Sequence, residues 1–319
     1  MTLQRTKLAI GTRESKLALL QTDQIVEKIQ QLAPNLEIEI VHITTGGDKV
    51  LDRPISALGG RGVFVKELEE ALLDGRVDLV VHSLKDLPTD LPTGLMLAAV
   101  LNRVDARDVF LSQKAKSFMD LPSGSTVATS SRRRVAQLKA LRNDLNFVDM
   151  RGNIPTRVRK LEEGQCDAMI LAAAGLVRLE LGDKIKEFLD SDKIVPAAGQ
   201  GVLAVECRSS DLDIVDFLKG IEDRRTRQAV DAERACLDHL GGGCSVPAGV
   251  YAAFKEEILH VTGCVASLDG SQIFKDSVQG PGQEAAALGL ALAKALEKLG
   301  ADRILNELRA SIPNVVSPP

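Results

Sequence analysis

Short apolar segments alternate with amphipathic segments through the first two hundred residues of this 319-residue chain. The first half of that stretch predicts three strands, at 7–12, 36–43 and 77–82, with helices at 15–32 and 63–73 between them. Strands joined through helices in this way form mostly parallel sheets with helices packed on the faces. The alternation therefore predicts an α/β fold.

The same order of elements returns later in the chain. Residues 73–81 resemble residues 162–170, and residues 10–15 faintly resemble residues 127–132. The second stretch predicts strands at 126–130, 145–149 and 167–171 and helices at 133–141 and 156–163. Because the paired segments hold the same place in each half, we interpret them as two similar α/β lobes that face a cleft.

The pattern changes near residue 224. A long predicted helix, 224–240, leads to a glycine-rich loop, and three strand-like stretches and a further helix follow it. This order predicts a small α+β third domain. Segments near 102–106 and 196–201 read as two crossings between the lobes. The expected domains are 1–102 with 200–220, then 103–199, then 221–319.

Composition limits the classes of partner. The net charge of −4 argues against a general polyanion-binding protein, and the 3% aromatic content gives few platforms for stacking bases. We expect no nucleic-acid partner, although the basic run 132–134 keeps that alternative open. No apolar run reaches about 18 residues, so no membrane span is predicted. Five scattered cysteines and no apolar leader at the amino terminus indicate free thiols in a cytoplasmic protein.

Cys244 follows three consecutive glycines. Glycines without side chains allow a bulky group to approach the backbone, and a cysteine on an exposed loop can reach the reactive thiolate form. A tight turn that happens to carry a small residue is an equally good interpretation of the same sequence. A metal site of Cys236, His239 and Cys244 is a weaker alternative, because zinc would need a fourth ligand. We expect no metal.

Lys85 and Asp86 come directly after the predicted strand 77–82. Ligands of open α/β sheets bind at the carboxyl ends of strands, where an acid can stabilise a developing cation or move a proton. A surface Lys–Asp pair in a turn before Pro88 is the simpler alternative. His82 can be either a buried imidazole with a hydrogen-bond partner or a catalyst.

Several arginines and serines also follow predicted strands. Helix amino termini bind anions, and guanidinium groups pair with carboxylates through two hydrogen bonds. A set of such residues indicates a ligand with several carboxylates or phosphates, whereas any one of them alone could be a solvated surface charge. The set comprises Arg13, Ser130, Ser131, Arg133, Arg134, Arg151, Arg157 and Arg178.

Taken together, these segments resemble the hydroxymethylbilane synthase family, also called porphobilinogen deaminases. The resemblance runs in order along nearly the whole chain. The most specific segment, 81–88, reads Val-His-Ser-Leu-Lys-Asp-Leu-Pro. The others are 10–19, 62–69, 128–131 with 133–134, 151–153, 173–176, 196–201 with 206–208, and 240–244.

The resemblance implies a fold, a reaction and a set of residue roles. It implies two periplasmic-binding-protein-like lobes and a third domain with the cofactor loop. It implies a monomer that joins four porphobilinogen molecules head to tail with loss of ammonia, primed by a dipyrromethane cofactor. In the family pattern the thioether to that cofactor falls on Cys244 and the catalytic acid on Asp86. Cofactor binding falls on Lys85, Ser130, Ser131, Arg133 and Arg134, and substrate binding on Arg13, Arg151, Arg157 and Arg178.

Three positions depart from the family pattern. Arg132 stands where the family usually has an apolar residue or proline, and we expect it to point to solvent. Arg61 replaces a usual lysine, and Pro155 falls near the start of a predicted helix, where the first turn tolerates it. A non-catalytic solute receptor with two lobes is the main alternative function, but it would need neither a cysteine loop nor a third domain.

Overall fold

The computed structural model of the chain describes residues 3, 5–49, 62–241 and 246–311. Within these residues it has two five-stranded sheets and one three-stranded sheet. The predicted fold class, two α/β lobes with a smaller α+β domain, is confirmed. The predicted boundaries between the domains stay predictions.

The strands, in chain order, are β1 (Lys7–Thr12), β2 (Glu37–His42), β3 (Leu79–Ser83), β4 (Leu95–Val100), β5 (Asp108–Ser112), β6 (Thr126–Ala128), β7 (Asn146–Val148), β8 (Ala168–Ala172), β9 (Glu187–Phe188), β10 (Leu203–Arg208), β11 (Ala248–Lys255), β12 (Ile258–Ala266) and β13 (Ile273–Pro281). The helices are α1 (Lys16–Leu32), α2 (Gly46–Lys49), α3 (Lys66–Leu73), α4 (Arg132–Leu141), α5 (Ile154–Glu162), α6 (Ala173–Arg178), α7 (Leu212–Leu218), α8 (Arg224–His239), α9 (Ala285–Leu299) and α10 (Ala301–Ser311).

The first sheet, with the helices packed on it, forms lobe 1. Its strand order is β2-β1-β3-β10-β4, in which β10 runs antiparallel to both neighbours. One face of this sheet buries Leu8, Ile10 and Leu79 with Ile25 of α1. The other face packs Val80 against Leu68 and other apolar residues of α3.

The second sheet forms lobe 2 and has the same plan. Its order is β7-β6-β8-β5-β9, and β5 is the strand that runs antiparallel to its neighbours. Strands β1 and β6 therefore hold equivalent places, as do β3 and β8, which confirms the repeat read from the sequence. The sequence patterns predicted only the parallel strands, because β4, β5 and β10 follow loops and not crossover helices.

Two crossings join the lobes, and both are closely packed. Gly201 has a φ of 86°, and a Cβ there would lie 2.8 Å from the carbonyl oxygen of Val104 on the first crossing. Gln200 is buried between them and donates from Nε2 to the carbonyl oxygen of Ala106 at 2.6 Å. The two crossings, which together form the hinge between the lobes, are thus joined by a hydrogen bond.

The third domain packs α8 and α9 on the sheet β11-β12-β13. Its helix α8 is capped by Asp223, whose side chain accepts a hydrogen bond from the Thr226 amide at 2.7 Å. Glu233 of α8 is fully buried and reaches the hinge, where Oε2 accepts from the Gly199 amide at 2.7 Å. Glu233 Oε1 also pairs with Arg103 at 2.8 Å, so the third domain is held to both crossings.

Candidate active site

The predicted site residues that the structure describes follow the carboxyl ends of two strands of lobe 1 and three strands of lobe 2, and the space between these two strand edges is the cleft. Arg13 follows β1, and Lys85 and Asp86 form a 3-10 turn after β3. Ser130 and Ser131 follow β6, and the others come after β7 and β8. Charges of one lobe act on groups of the other: the charge of Arg134 lowers the pKa of Lys85, and the charge of Asp86 raises that of Arg157. Within each lobe the shared position of these residues follows from the sheet topology, since parallel strands end at the same edge of a sheet.

The turn that carries Lys85 and Asp86 is anchored to the hinge by Leu84. The Leu84 amide donates to the carbonyl oxygen of Val202 at 3.0 Å, and the Leu84 side chain is buried. Gly199 is required beside it, because a Cβ there would lie 2.8 Å from Leu84 Cγ. The anchor leaves Asp86 exposed at the cleft while Lys85 is half-buried.

Lys85 lies among positive charges. Burial lowers the pKa of Lys85, and the charges of Arg134 and Arg133 lower it further, against the opposite effect of Asp86. Arg157 has a similar setting on α5. Burial, with the charges of Arg134 and Arg151, lowers the pKa of Arg157 to about 10. The charge of Arg134 therefore disfavours the charged forms of both Lys85 and Arg157.

Arg133 and Arg134 are bound to a carboxylate that the sequence analysis did not single out. Asp108, the first residue of β5, is fully buried and accepts from Arg133 Nη2 at 2.8 Å and from Arg134 Nη2 at 2.7 Å. Gln200 of the hinge donates to the same carboxylate at 2.8 Å. Burial alone would raise the pKa of Asp108, but the two guanidinium charges hold it well below its usual range.

This ion pair gives Arg133 a structural role beside the cofactor-binding role that was expected of it. Its guanidinium is buried and also donates to the carbonyl oxygen of Val195 at 2.7 Å. Direct contact of Arg133 with a ligand stays a prediction, whereas its structural part is plain: it ties α4 to β5 and to the second crossing. The signal missed in the sequence was Asp108 itself, an acid at the start of an otherwise apolar strand.

Ser130 and Ser131 organise the amino end of α4. The Ser131 side chain accepts from the Arg134 amide at 3.4 Å and caps the helix, and Ser130 Oγ donates to the carbonyl oxygen of Met150 at 3.3 Å. Three arginines occupy the first turn, where the helix dipole disfavours cations. The departure at Arg132 is half-buried, not directed wholly to solvent as expected.

The other predicted arginines have definite places. Arg13 lies over the ring of Phe64, with 4.3 Å from its guanidinium carbon to the ring centre. Arg178, at the end of α6, donates at 3.4 Å both to Gln24 of α1 and to the carbonyl oxygen of Gly201. Burial lowers the pKa of Arg178 to about 10. Arg178 thus links lobe 2 to lobe 1 and to the hinge. Arg151 is half-buried close to Arg157.

Cys244 lies outside the described residues, as does Arg61. The chain leading to Cys244 is described as far as Gly241, which has a φ of 100°. The four described cysteines are buried, and burial raises their pKa values to about 11 or about 12. Thiols of that kind are unreactive near neutral pH.

Two histidines that the sequence left open as functional candidates each lie beside a glutamate. His82 is buried, and its Nε2 lies 2.9 Å from Oε2 of Glu206, so it is a paired core imidazole and not a cleft catalyst. His239 Nε2 lies 3.1 Å from Glu297, and Cys236 belongs to the core of the third domain. The metal alternative gains no support from these contacts. Pro155 lies in the first turn of α5, as expected.

Comparison with known proteins gives consistent matches. The family model "Porphobilinogen deaminase, dipyromethane cofactor binding domain" matches residues 8–216, and the model of the C-terminal domain of porphobilinogen deaminase matches residues 227–298. A porphobilinogen deaminase of Brevibacillus brevis is 48% identical over 95% of this chain and 97% of its own. That of Syntrophotalea carbinolica is 47% identical over 94% and 96%.

Among solved structures, the methionine-binding protein MetQ is 17% identical, with a TM-score of 0.44 over 70% of this chain and 91% of its own. The described helices include none long and apolar enough to cross a membrane. On the two family models and the relatives that match over nearly their full length, the chain belongs to the porphobilinogen deaminase family.

Proposed function

We propose that this chain condenses four porphobilinogen molecules head to tail, with release of ammonia at each unit and addition of water to the last one, to the linear tetrapyrrole hydroxymethylbilane. The observation that carries the proposal is the setting of Asp86. Its carboxylate is exposed on a turn anchored to the hinge, and it faces Arg157 across a cleft lined with cations. That arrangement suits chemistry on a substrate that is anionic at its edge and becomes cationic at its centre.

Asp86 would act on the pyrrole nitrogen of the substrate. When the aminomethyl C–N bond breaks, the pyrrole ring supplies the electron pair and the amine leaves, protonated, as ammonia. The remaining azafulvene carries positive charge on the ring nitrogen, and a fixed carboxylate beside that N–H stabilises it. A free pyrrole α-carbon then forms the new C–C bond and loses its proton, so the reaction needs no strong protein base.

The cations of the cleft would bind the acetate and propionate groups. The charge of Arg134 lowers the pKa values of both Lys85 and Arg157, which means that these cations repel one another in the absence of an anion. Carboxylates of the ligand would relieve that repulsion and pair with the guanidinium groups. We assign this part also to Arg13, Arg151 and Arg178.

The dipyrromethane cofactor fits the same donor set. When bound, it supplies a priming pyrrole whose free α-carbon accepts the first substrate unit. Its acid side chains match Lys85, in the turn after β3, and Arg133 and Arg134, at the start of α4, with Ser130 and Ser131 just before that helix. We assign its thioether to Cys244, on which the family pattern places it; the four cysteines that the structure describes are buried.

We further propose that the enzyme works as a monomer in the cytoplasm and does not bind nucleic acid. The four described cysteines are free thiols, as in proteins of a reducing compartment. The acidic net charge and the few aromatic residues disfavour a nucleic-acid partner. Size-exclusion chromatography with light scattering tests the monomer: a mass near 34.2 kDa is expected, and a dimer mass would refute it.

The function is tested by intact mass spectrometry and by turnover of porphobilinogen. We expect the purified chain to carry a two-pyrrole adduct and to colour with Ehrlich's aldehyde reagent. Asp86→Asn should keep most of the adduct and lose about 100-fold or more of kcat, since it removes the charge that stabilises the cation. Asp90→Asn, at an exposed aspartate four residues along, is the matched control. Active protein without an adduct, or near-normal turnover by Asp86→Asn, would contradict the proposal.

A further inference from the structure

Helix α8 carries the chain toward Cys244, and it is bonded to the segment that follows Asp86. Arg234 of α8 donates from Nη2 to the carbonyl oxygens of Pro88 at 2.7 Å and Thr89 at 3.1 Å. Its Nη1 donates to the carbonyl oxygen of Leu87 at 3.3 Å. One guanidinium group of the third domain therefore binds the three consecutive carbonyls next to the proposed catalytic acid.

A second bond lies one helical turn further on. The side chain of Thr89 donates to Asp238 Oδ1 at 2.9 Å. Residues four apart lie on the same face of a helix, so Arg234 and Asp238 together hold one strip of lobe 1. The carbonyl oxygen of Asp238 also accepts from the Gly241 amide at 2.9 Å, which begins the glycine loop. The contact thus extends from the turn of Asp86 to the start of that loop.

Burial of the Arg234 guanidinium group costs free energy, so this contact is not the most stabilising way to hold the two domains together. Burial lowers the pKa of Arg234, and the charges of Asp231, Asp238 and Glu206 act in the opposite direction. Apolar packing would attach α8 without burying a guanidinium group. What the planar fork adds is direction, since its N–H groups accept only a narrow range of carbonyl positions. A contact of this kind fixes the position of α8 on lobe 1 more than it stabilises the association of the two domains.

We infer that Arg234 and Asp238 are positioning residues that hold α8, and with it the third domain, in register with the turn of Asp86. The inference rests on the proposed function, in which the cofactor is tethered to the third domain while the acid belongs to lobe 1. Two residues lie between Gly241 and Cys244, so the three Cα–Cα steps between them reach at most about 11 Å. A shift of α8 along lobe 1 would therefore also displace the attachment point of the cofactor. A misplacement of about 1 Å can cost about 100-fold in rate.

The test compares Arg234→Met with Arg225→Met in full-length, cofactor-loaded protein. Arg225 is the matched control because it lies on the same helix and its guanidinium also binds a backbone carbonyl, that of Glu256, but within the third domain. Rates are expressed per dipyrromethane, titrated with Ehrlich's reagent. We expect Arg234→Met to keep the adduct and a KM within about twofold, while kcat falls about 10- to 100-fold.

The conservative variant Arg234→Lys should recover part of that kcat, since an ammonium group can still donate to these carbonyls. Arg225→Met should keep the wild-type kcat. A kcat of Arg234→Met equal to that of the control would overturn the inference, as would a loss that lies wholly in KM or in the fraction of loaded protein. Wild-type protein that fails to turn over porphobilinogen would instead refute the proposed function.

Discussion

Asparagine in place of Asp108 removes the one carboxylate that Arg133 and Arg134 share. Asp108 accepts four hydrogen bonds from them and from Gln200, at 2.7 to 3.0 Å, and it is fully buried. An asparagine keeps one acceptor oxygen but turns an NH₂ group toward donors. Two buried guanidinium groups would lose their counter-charge.

The expected cost follows from that burial. Breaking a buried, hydrogen-bonded ion pair by removing one partner destabilises a protein by about 3–5 kcal/mol. At about 2 °C per kcal/mol, which applies to large domains, Asp108→Asn should lower Tm by about 6–10 °C. Because the pKa of Asp108 is held below its usual range, the stabilisation is complete above the ordinary aspartate pKa of about 3.9 and is lost as the pH falls below it.

Differential scanning calorimetry between pH 6 and pH 8 measures this. The difference in Tm between wild type and Asp108→Asn should be constant over that range. The control is Asp144→Asn, whose partner Arg142 is paired at an exposed site at 2.7 Å and whose loss should shift Tm by no more than about 1 °C. An Asp108→Asn protein with wild-type Tm would refute the view that this carboxylate holds the lobe 2 side of the cleft together.

Two further predictions concern lobe 1 and the third domain. Burial, with the charge of Glu206, raises the pKa of Glu69 to about 7, so its stabilising protonated form is present at low pH and is lost as the pH rises through 7. In thermal melts, Glu69→Gln should gain Tm relative to wild type from pH 5.5 to pH 8.5, and a constant difference would contradict the shift. A Cβ at Gly249 would lie 2.4 Å from the carbonyl oxygen of Val195, so Gly249→Ala should cost about 1–3 kcal/mol in urea unfolding, whereas Gly182→Ala, with open space around it, should not.

The sequence predicted the parallel part of each sheet well. Apolar runs such as that of β3 and the amphipathic spacing of α1 are local signals, and both elements lie close to where the pattern places them. The antiparallel strands β5 and β10 gave no comparable signal, since their partners are defined by the path of the chain across the hinge. Local periodicity does not encode that path.

The sequence suggested which residues belong to the candidate site, but not which residues they contact. Position after a strand was enough to suggest Arg13 and Asp86. It could not show that Arg133 forms an ion pair with Asp108, because the two are 25 residues apart and meet only when α4 packs beside β5. The same is true of Arg234, 146 residues from Pro88, whose helical setting on α8 suggests only a surface charge.

The order of strands in lobe 1 has a consequence for how the chain is made. Strand β10 lies between β3 and β4, yet it leaves the ribosome only after every strand of lobe 2. A nascent chain can close the second sheet while the first still has a gap in its middle. Because domains fold as units during synthesis, we expect the middle third of the polypeptide to become protease-resistant before the segment that precedes it.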